Sequence, residues 1–224
     1  LLWLSLWYRS TQVLYHQDEP QMPEYQPSSH QFKYAVENSI YAIPKLHISV
    51  KEILILSDTH SYIDDRILHY AENSDEIWHA GDIGDKQVLN KLEKVAPVRA
   101  VYGNIDDTNI QLRVPLDQLF RIEGITVFMT HIIGRPGKYP ARVRRILRQK
   151  KPSLVICGHS HMLLIRRHLN HLHLNPGACG IQGFHRVRTM IKLKINAGKI
   201  SDVEVIELAR RGGLSLSLIH ISDG

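Results

Sequence analysis

The apolar positions between residues 51 and 209 change period from one segment to the next, and that change outlines the elements. KEILILS (51–57) is a short apolar run that ends at Ser57-Asp58, the pattern of a strand buried on both faces. Ile63, Ile67 and Tyr70 then fall at helical spacing, and DEIWHAGD (75–82) reads as a second strand. Val88, Leu89, Leu92 and Val95 mark a helix for which Asp85 is the expected N-cap. VRAVYGN (98–104), ITVFMTH (125–131) and SLVICGH (153–159) are further strands, and between the last two Tyr139, Val143, Ile146 and Leu147 form the stripe of another helix. In the last third Ile191, Leu193 and Ile195 alternate with Lys192 and Lys194. After Asn196-Ala197-Gly198, Val203 and Val205 resume the period of two, which predicts an antiparallel hairpin. An α/β half followed by a β-rich half predicts sheets packed on one another with helices outside.

The two ends do not continue this pattern. Residues 1–45 are rich in Gln, Tyr, Pro, Ser and His without a sustained period, and are expected to be a poorly ordered extension. The opening LLWLSLWY lacks the basic flank and small-residue site of a signal peptide. The tail, 211–224, ends in LSLSLIHISDG, which resembles read-through of a sequencing adapter. Both ends are candidates for non-native sequence, which leaves residues 46–210 as the domain. Composition then narrows the class. Hydrophobic residues make up 43% of the 224, enough for one core, and no apolar run approaches the ~18 residues that suggest a membrane span. Two cysteines make no disulfide framework, which favours a reducing, cytoplasmic setting. The net charge of +6 favours anionic partners without choosing among them.

Polar residues collect where the predicted strands end. Asp58 and His60 follow the first and Asp82 the second. Asn104 follows the third, His131 ends a later one, and His159 and His161 end another. In open α/β sheets ligands bind outside the carboxyl ends of the strands, so seven candidate metal ligands are expected at one edge. In extended chain, residues two apart project to one side, so Asp58 with His60, and His159 with His161, are expected to act as pairs. Glycines before Asp82, Asn104 and His159 are expected to allow sharp turns and close approach of the backbone to an ion. An oxygen and imidazole set without thiolate suits Mn²⁺, Fe, Mg²⁺ or catalytic Zn²⁺. Seven donors exceed one tetrahedral ion and suit two divalent ions that share a carboxylate.

In order, Asp58-Thr59-His60, Gly81-Asp82, Gly103-Asn104, His131 and Gly158-His159-Ser160-His161 resemble the D-x-H, G-D, G-N, H and G-H-x-H pattern of the calcineurin-like metallophosphoesterase superfamily. The intervals look most like its small YfcE-like phosphodiesterase branch, and the likeness covers about residues 49–209. That resemblance implies a metallo-dependent phosphatase-like fold, a four-layer α/β/β/α sandwich of two mixed sheets. It implies one ion held by Asp58, His60, Asp82 and His161, and a second held by Asp82, Asn104, His131 and His159, with Asp82 bridging. Two divalent ions, Mn²⁺ first and Mg²⁺, Ni²⁺, Zn²⁺ or Fe as substitutes, would then be the cofactors. Asp82, Asn104 and His131 are the residues expected nearest the chemistry.

The expected reaction is hydrolysis of a small phosphodiester by in-line attack of a metal-bridging hydroxide. Alternatives on the same fold are a metal-dependent nuclease and a non-catalytic scaffold like the retromer subunit; no membrane partner is expected, and the oligomeric state is left open. Two departures from the superfamily stand out. Ile105 occupies the place where many members carry a histidine that can protonate the leaving oxygen, and Ile132 stands where glycine is usual. Steep dependence on the leaving group is expected, since a general acid is commonly worth about 10² to 10⁴-fold.

Other residues receive plainer readings. His79 is read first as a packed strand histidine and second as a partner of the ligands. Asp106 and Asp107 serve either as turn and cap residues or as supports for Asn104. Arg135 and Lys138 are read first as exposed loop cations and second as contacts to a substrate phosphate, and RVRRILRQKK (142–151) is the solvated face of a helix before it is a nucleic-acid site. Asn175-Pro176-Gly177 shapes a turn near the site, and Cys157 is a small core residue. His168, His171, His173 and His185 receive no role.

Overall fold

The computed structural model describes residues 50–184, 186–210 and 218–220. The extension 1–45 and His185 lie outside them, as does most of the tail. Element order is β1 (Lys51–Leu56), α1 (Asp65–Glu72), β2 (Glu76–His79), α2 (Lys86–Glu93), β3 (Val98–Ala100), α3 (Thr108–Arg113), β4 (Asp117–Ile122) and β5 (Ile125–Thr130). There follow α4 (Ala141–Lys150), β6 (Leu154–Ile156), β7 (Leu163–His168), β8 (His171–Pro176), β9 (Val187–Asn196), β10 (Lys199–Arg210) and β11 (Leu218–His220).

Two mixed sheets result. The first runs β11-β10-β9-β1-β2-β3 and the second β4-β5-β6-β8-β7. β1, β2 and β3 are parallel, as are β5, β6 and β8, and the antiparallel strands flank these triplets. The alternation within β1 explains the layering. Ile53 and Ile55, with Trp78 and Leu193 of the same sheet, face the second sheet and pack against its Val127, Met129 and Ile156. Leu54 and Leu56 face the other way, onto Ile67 of α1 and Val88, Leu89 and Leu92 of α2. On the outer face of the second sheet, Phe128, Val155 and Cys157 pack against Tyr139 and Val143, with Ile146 and Leu147 of α4 beside them. The four-layer α/β/β/α sandwich is therefore present. Each fully buried aliphatic side chain in these layers contributes about 1.5–3 kcal/mol relative to exposure.

Local signals account for the element ends. Asp85 caps α2 by accepting from Gln87 N, and Asp64 and Asp107 cap α1 and α3 in the same way, from Ile67 N and Ile110 N. The β9–β10 hairpin turns on Ala197-Gly198, both with positive φ (45° and 81°), which matches the twist of a two-residue hairpin. Four elements are not legible in the apolar pattern. β4 and β7 are edge strands with mixed burial, β8 alternates histidine with leucine and asparagine, and α3 has only six residues, too few to show a helical period. Of the tail, residues 218–220 pair with β10.

Candidate metal centre

The strands deliver the ligands from two sheets, and the expected single edge is in fact the shared top of the sandwich. β1, β2 and β3 of the first sheet lead to Asp58 with His60, to Asp82 and to Asn104. β5 and β6 of the second lead to His131 and to His159 with His161. Donor atoms of Asp58, His60, Asp82 and His161 lie within 4.8 Å of one another, as do those of Asp82, His131 and His159. Asp82 belongs to both groups. Its Oδ2 stands 3.7 Å from His60 Nε2, and its Oδ1 stands 3.1 Å from His131 Nε2. Asn104 is exposed beside this carboxylate, between Gly103, which packs against it, and Ile105, whose N–H donates to Asp82 Oδ1 at 3.2 Å.

The pairs Asp58/His60 and His159/His161 do not converge by strand alternation. Asp58, His60, Asp82, His159 and His161 all have φ between 47° and 68°, the left-handed region that is uncommon outside glycine, although Asn, Asp and His enter it more often than other residues. The chain leaves each strand and turns sharply, so that His161 joins Asp58 and His60 while His159 joins His131. Strain concentrated in the ligand residues persists only because surrounding bonds impose it. His60 N and Ser61 N donate to Asp82 O and Ile83 O at 3.0 and 2.8 Å, and His159 N donates to both oxygens of Asp58 at 3.2 Å.

The glycines serve partly a different purpose from the one expected. Gly81 has φ of 98°, a conformation that suits only glycine. Gly103 and Gly158 have no such need. A Cβ on Gly103 would collide with the Asp82 carboxylate, and one on Gly158 with Ser57 Oγ and, at 2.9 Å, Asp58 Oδ2. They let backbone pack directly on the ligand carboxylates.

Three residues for which the sequence leaves a supporting role as one reading take that role here. Asp106 is buried and accepts from Ile83 N, Gly84 N and Gly103 N at 3.1, 2.6 and 2.7 Å, so it joins the loops of Asp82 and Asn104. Asp107 takes the cap role. His79 accepts from Gly81 N on Nδ1, so its Nε2 carries the proton and donates to Thr59 Oγ1 at 2.9 Å. Burial drops the His79 pKa to about 4, which keeps it neutral in this bridge between the Asp58 and Asp82 loops. Asn175 is also buried and donates to Gly158 O and Ser160 Oγ, which holds the His159–His161 loop. The only forward signal for Asp106 and Asn175 is that each sits next to a Gly-containing turn near a ligand.

Electrostatics point to a cation. His131 Nδ1 stands 2.7 Å from the Ala80 carbonyl, which can only accept, so Nδ1 carries the proton. Nε2 then faces Asp82 Oδ1 with a lone pair, and among the described residues it has no hydrogen-bond partner of good geometry. His60 Nε2 and His161 Nε2 face one another at 3.3 Å, and His161 Nε2 lies 3.3 Å from Asp58 Oδ1. Acceptors this close need a proton or a metal ion between them. Donors about 2.0–2.2 Å from a common ion stand roughly 3.0 to 3.5 Å apart, which matches these separations. The oxygen and imidazole set therefore fits divalent cations. In the metal-free chain protons take their place. Burial opposes charge on His131, but Asp82, Asp58 and the Ala80 carbonyl outweigh it and raise its pKa. The Asp58 carboxylate raises His161 against the effect of burial. Burial pushes the Asp82 carboxyl upward, but contacts with His131, the Ile105 N–H and His60 bring it below its usual value.

The comparisons with known proteins agree with this geometry. Residues 52–198 match the calcineurin-like phosphoesterase superfamily domain, and the chain belongs to that superfamily. A probable metallophosphoesterase of Methanothermobacter thermautotrophicus is 30% identical over 157 residues, 68% of this chain and 90% of the relative. A phosphodiesterase of Methanocaldococcus jannaschii is 25% identical over 144 residues, 57% of this chain and 84% of that protein. Vps29 of Entamoeba histolytica, solved in complex with Zn²⁺, superposes with a TM-score of 0.60 at 18% identity, covering 75% of this chain and 98% of its own, a likeness of fold. Among the described residues no helix is long and apolar enough to cross a membrane.

Proposed function

We propose that the chain is a metal-dependent phosphodiesterase acting on a small diester, with one divalent ion on Asp58, His60, Asp82 and His161 and a second on Asp82, Asn104, His131 and His159. The observation that carries this reading is the Asp82 carboxylate, which turns one oxygen toward each group of donors. Two ions held there would supply an acidified water and positive charge against the phosphate oxygens. Mn²⁺ leads the candidates, with Mg²⁺, Ni²⁺, Zn²⁺ and Fe behind it, because the donors are oxygen and imidazole nitrogen.

The chain's own residues supply orientation. The Ala80 carbonyl fixes the tautomer of His131 and aims Nε2 inward, while Asp106, His79 and Asn175 hold the loops. No acid stands at position 105, so the substrate's leaving oxygen departs without a proton from that site. Ile105 and Ile132 are exposed next to Asn104 and His131, and Met162 is exposed next to His161. Exposed apolar side chains adjacent in the chain to three of the proposed ligands suit an ester with an apolar or aryl group. Cys157 and Cys179 are free and buried, which supports a reducing, cytoplasmic setting.

Purified protein loaded with each metal in turn and assayed on bis(p-nitrophenyl) phosphate and p-nitrophenyl phosphate tests the reading. Faster turnover of the diester is expected, with a steep dependence on leaving-group pKa across aryl diesters. A faster monoester reaction, or a flat dependence, overturns it. Metal binding without turnover of any ester would favour the scaffold alternative, and digestion of single-stranded DNA in preference to the aryl diester would favour the nuclease.

A further inference from the structure

A cavity of about 540 Å³, apart from the donor groups, opens in the layer between α4 and the second sheet. Gly137, Tyr139, Leu147, Pro152 and the β7–β8 turn from His168 to His171 line it. Three cations complete the wall: Arg144 and Arg148, one turn apart on α4, and Lys151 at the end of that helix. No carboxylate lines it, and none of the three has an ion-pair partner among the described residues. The volume lies within the range of small-molecule sites. Lys151 and Pro152 precede β6 and His159 follows it, so at ~3.3 Å per residue the cavity stands roughly 20 Å from the metal loops.

Charge along the chain is segregated in the same direction. Between Glu123 and Asp202 there is no Asp or Glu, while fifteen of the twenty-eight Lys and Arg fall there; all twenty-two acids lie outside that stretch. Helix α4 bears several of these cations, and Arg142 is already bound to Asp117. The partial negative charge at the C-terminus of α4, about half an elementary charge, is outweighed by three full positive ones. Apart from Asn170 in the β7–β8 turn, the remaining walls are rings and aliphatic carbon. His168 and His171 pack edge to face against one another, and both rings lie against Tyr139. The Tyr139 hydroxyl is held between His171 Nε2 and His173 Nδ1, both at 3.1 Å, which makes that wall rigid.

We propose that this cavity binds a nucleotide, with the phosphate on Arg144, Arg148 and Lys151 and the flat base against His168, Leu169 and Leu147. Two guanidinium forks and an ammonium suit a phosphate dianion better than a single carboxylate. A flat ring fits walls built from imidazole, phenol and leucine. The nucleotide can come from two sources, a free mononucleotide or one residue of a single strand. Because the cavity shares no residue with the metal centre, the proposal stands whether or not the chain hydrolyses diesters.

The test measures binding of adenosine 5′-monophosphate, of a phosphorothioate single-stranded oligonucleotide and of inorganic phosphate to the full chain. It compares Arg144→Glu/Arg148→Glu with Arg145→Glu/Lys150→Glu, which changes exposed residues of the same helix by the same net charge. The first double variant is expected to weaken nucleotide binding by about tenfold or more, as loss of charge-assisted bonds does, and the second by less than about threefold. Folding is checked by circular dichroism, and metal content stays that of the parent in both. Tight binding of the mononucleotide identifies a free ligand; binding of the oligonucleotide alone, with the same dependence on Arg144 and Arg148, identifies a strand. Equal losses in the two double variants would show diffuse charge and overturn the proposal. So would inorganic phosphate binding as tightly as the nucleotide, or no binding of either nucleotide probe.

Discussion

Two groups of histidines in this molecule carry opposite electrostatics. At the metal centre His131 and His161 have raised pKa values, although His131 is almost wholly buried. In the layer beneath α4, burial and the neighbouring imidazoles lower His171 and bring His173 to about 4. Burial acts in the same direction on both groups. The difference lies in what faces the rings: Asp58 and Asp82 at the first, and at the second Tyr139 and Cys157, whose own pKa values burial lifts to about 12. Those two are neutral hydrogen-bonding partners, so the second group forms a rigid wall with no charge to attract a cation. The first group holds charge that must be met by protons or by metal. Carboxylates that face a set of imidazoles add the negative charge that favours a cation there, and only the first group has them.

The largest expected effect comes from removing the shared carboxylate. Asp82→Asn leaves each group of donors short of an anion, and kcat/KM on the aryl diester is expected to fall by about 10³-fold or more, with metal content lost in elemental analysis. Retention of both ions in that variant would break the contrast between the two histidine groups.

Acid sensitivity sharpens it next. A histidine whose folded pKa lies below its unfolded value stabilises the fold fully above about 6.5, and that contribution is lost as pH falls toward the folded value. His173, at about 4, should therefore cost the protein on the order of 3 kcal/mol between pH 6.5 and 4. Urea unfolding of His173→Gln across that range is expected to show a shallower acid limb than the parent, from a lower stability at neutral pH. An identical slope would mean that His173 is not held neutral.

Smaller effects belong to the supports. Asp106→Ala leaves three buried or partly buried N–H groups without their acceptor, and metal affinity is expected to drop about 10 to 100-fold, with some loss of stability. The smallest is a matter of pH at the metal centre. His131 and His161, raised, contribute stability to the metal-free chain below their unfolded pKa and lose it as pH rises through the folded values. Asp82, lowered, contributes above its unfolded value and loses it as pH falls through the folded one. The metal-free chain should thus lose stability from about pH 6.5 upward, while affinity for Mn²⁺ in calorimetric titration rises over the same range because fewer protons must be displaced. Affinity independent of pH would contradict the proton-for-metal exchange.

The proposed metal ligands are legible in the sequence because their chemistry is tied to strand ends. A buried parallel strand announces itself as an apolar run, and the first polar residues after it must lie at the sheet's edge, so Asp58, Asp82, His131 and His159 can be placed one by one. Residues acting through the backbone carry no such mark. Asp106 looks like any turn aspartate until its carboxylate is seen gathering N–H groups from two loops, and Asn175 like any residue before a proline. His168, His171 and His173 have no recognisable spacing because the cluster needs a ring from α4's approach, Tyr139, and a β7–β8 pairing that puts His168 opposite His171.

By itself the order of apolar and polar residues determined the main elements and the layers and offered seven candidate donors, because side-chain period and strand polarity are local properties of the chain. Only the tertiary structure decided that the donors come from two sheets and that left-handed backbone, not strand alternation, aims them. That backbone serves Asp58, His60, Asp82, His159 and His161, and not Asn104 or His131. The tertiary structure also decided that Gly103 and Gly158 are needed for space, and that one set of histidines meets carboxylates while the other meets neutral groups. Those outcomes depend on distances between residues far apart in the chain, and a charge or a steric clash has no value until those distances exist.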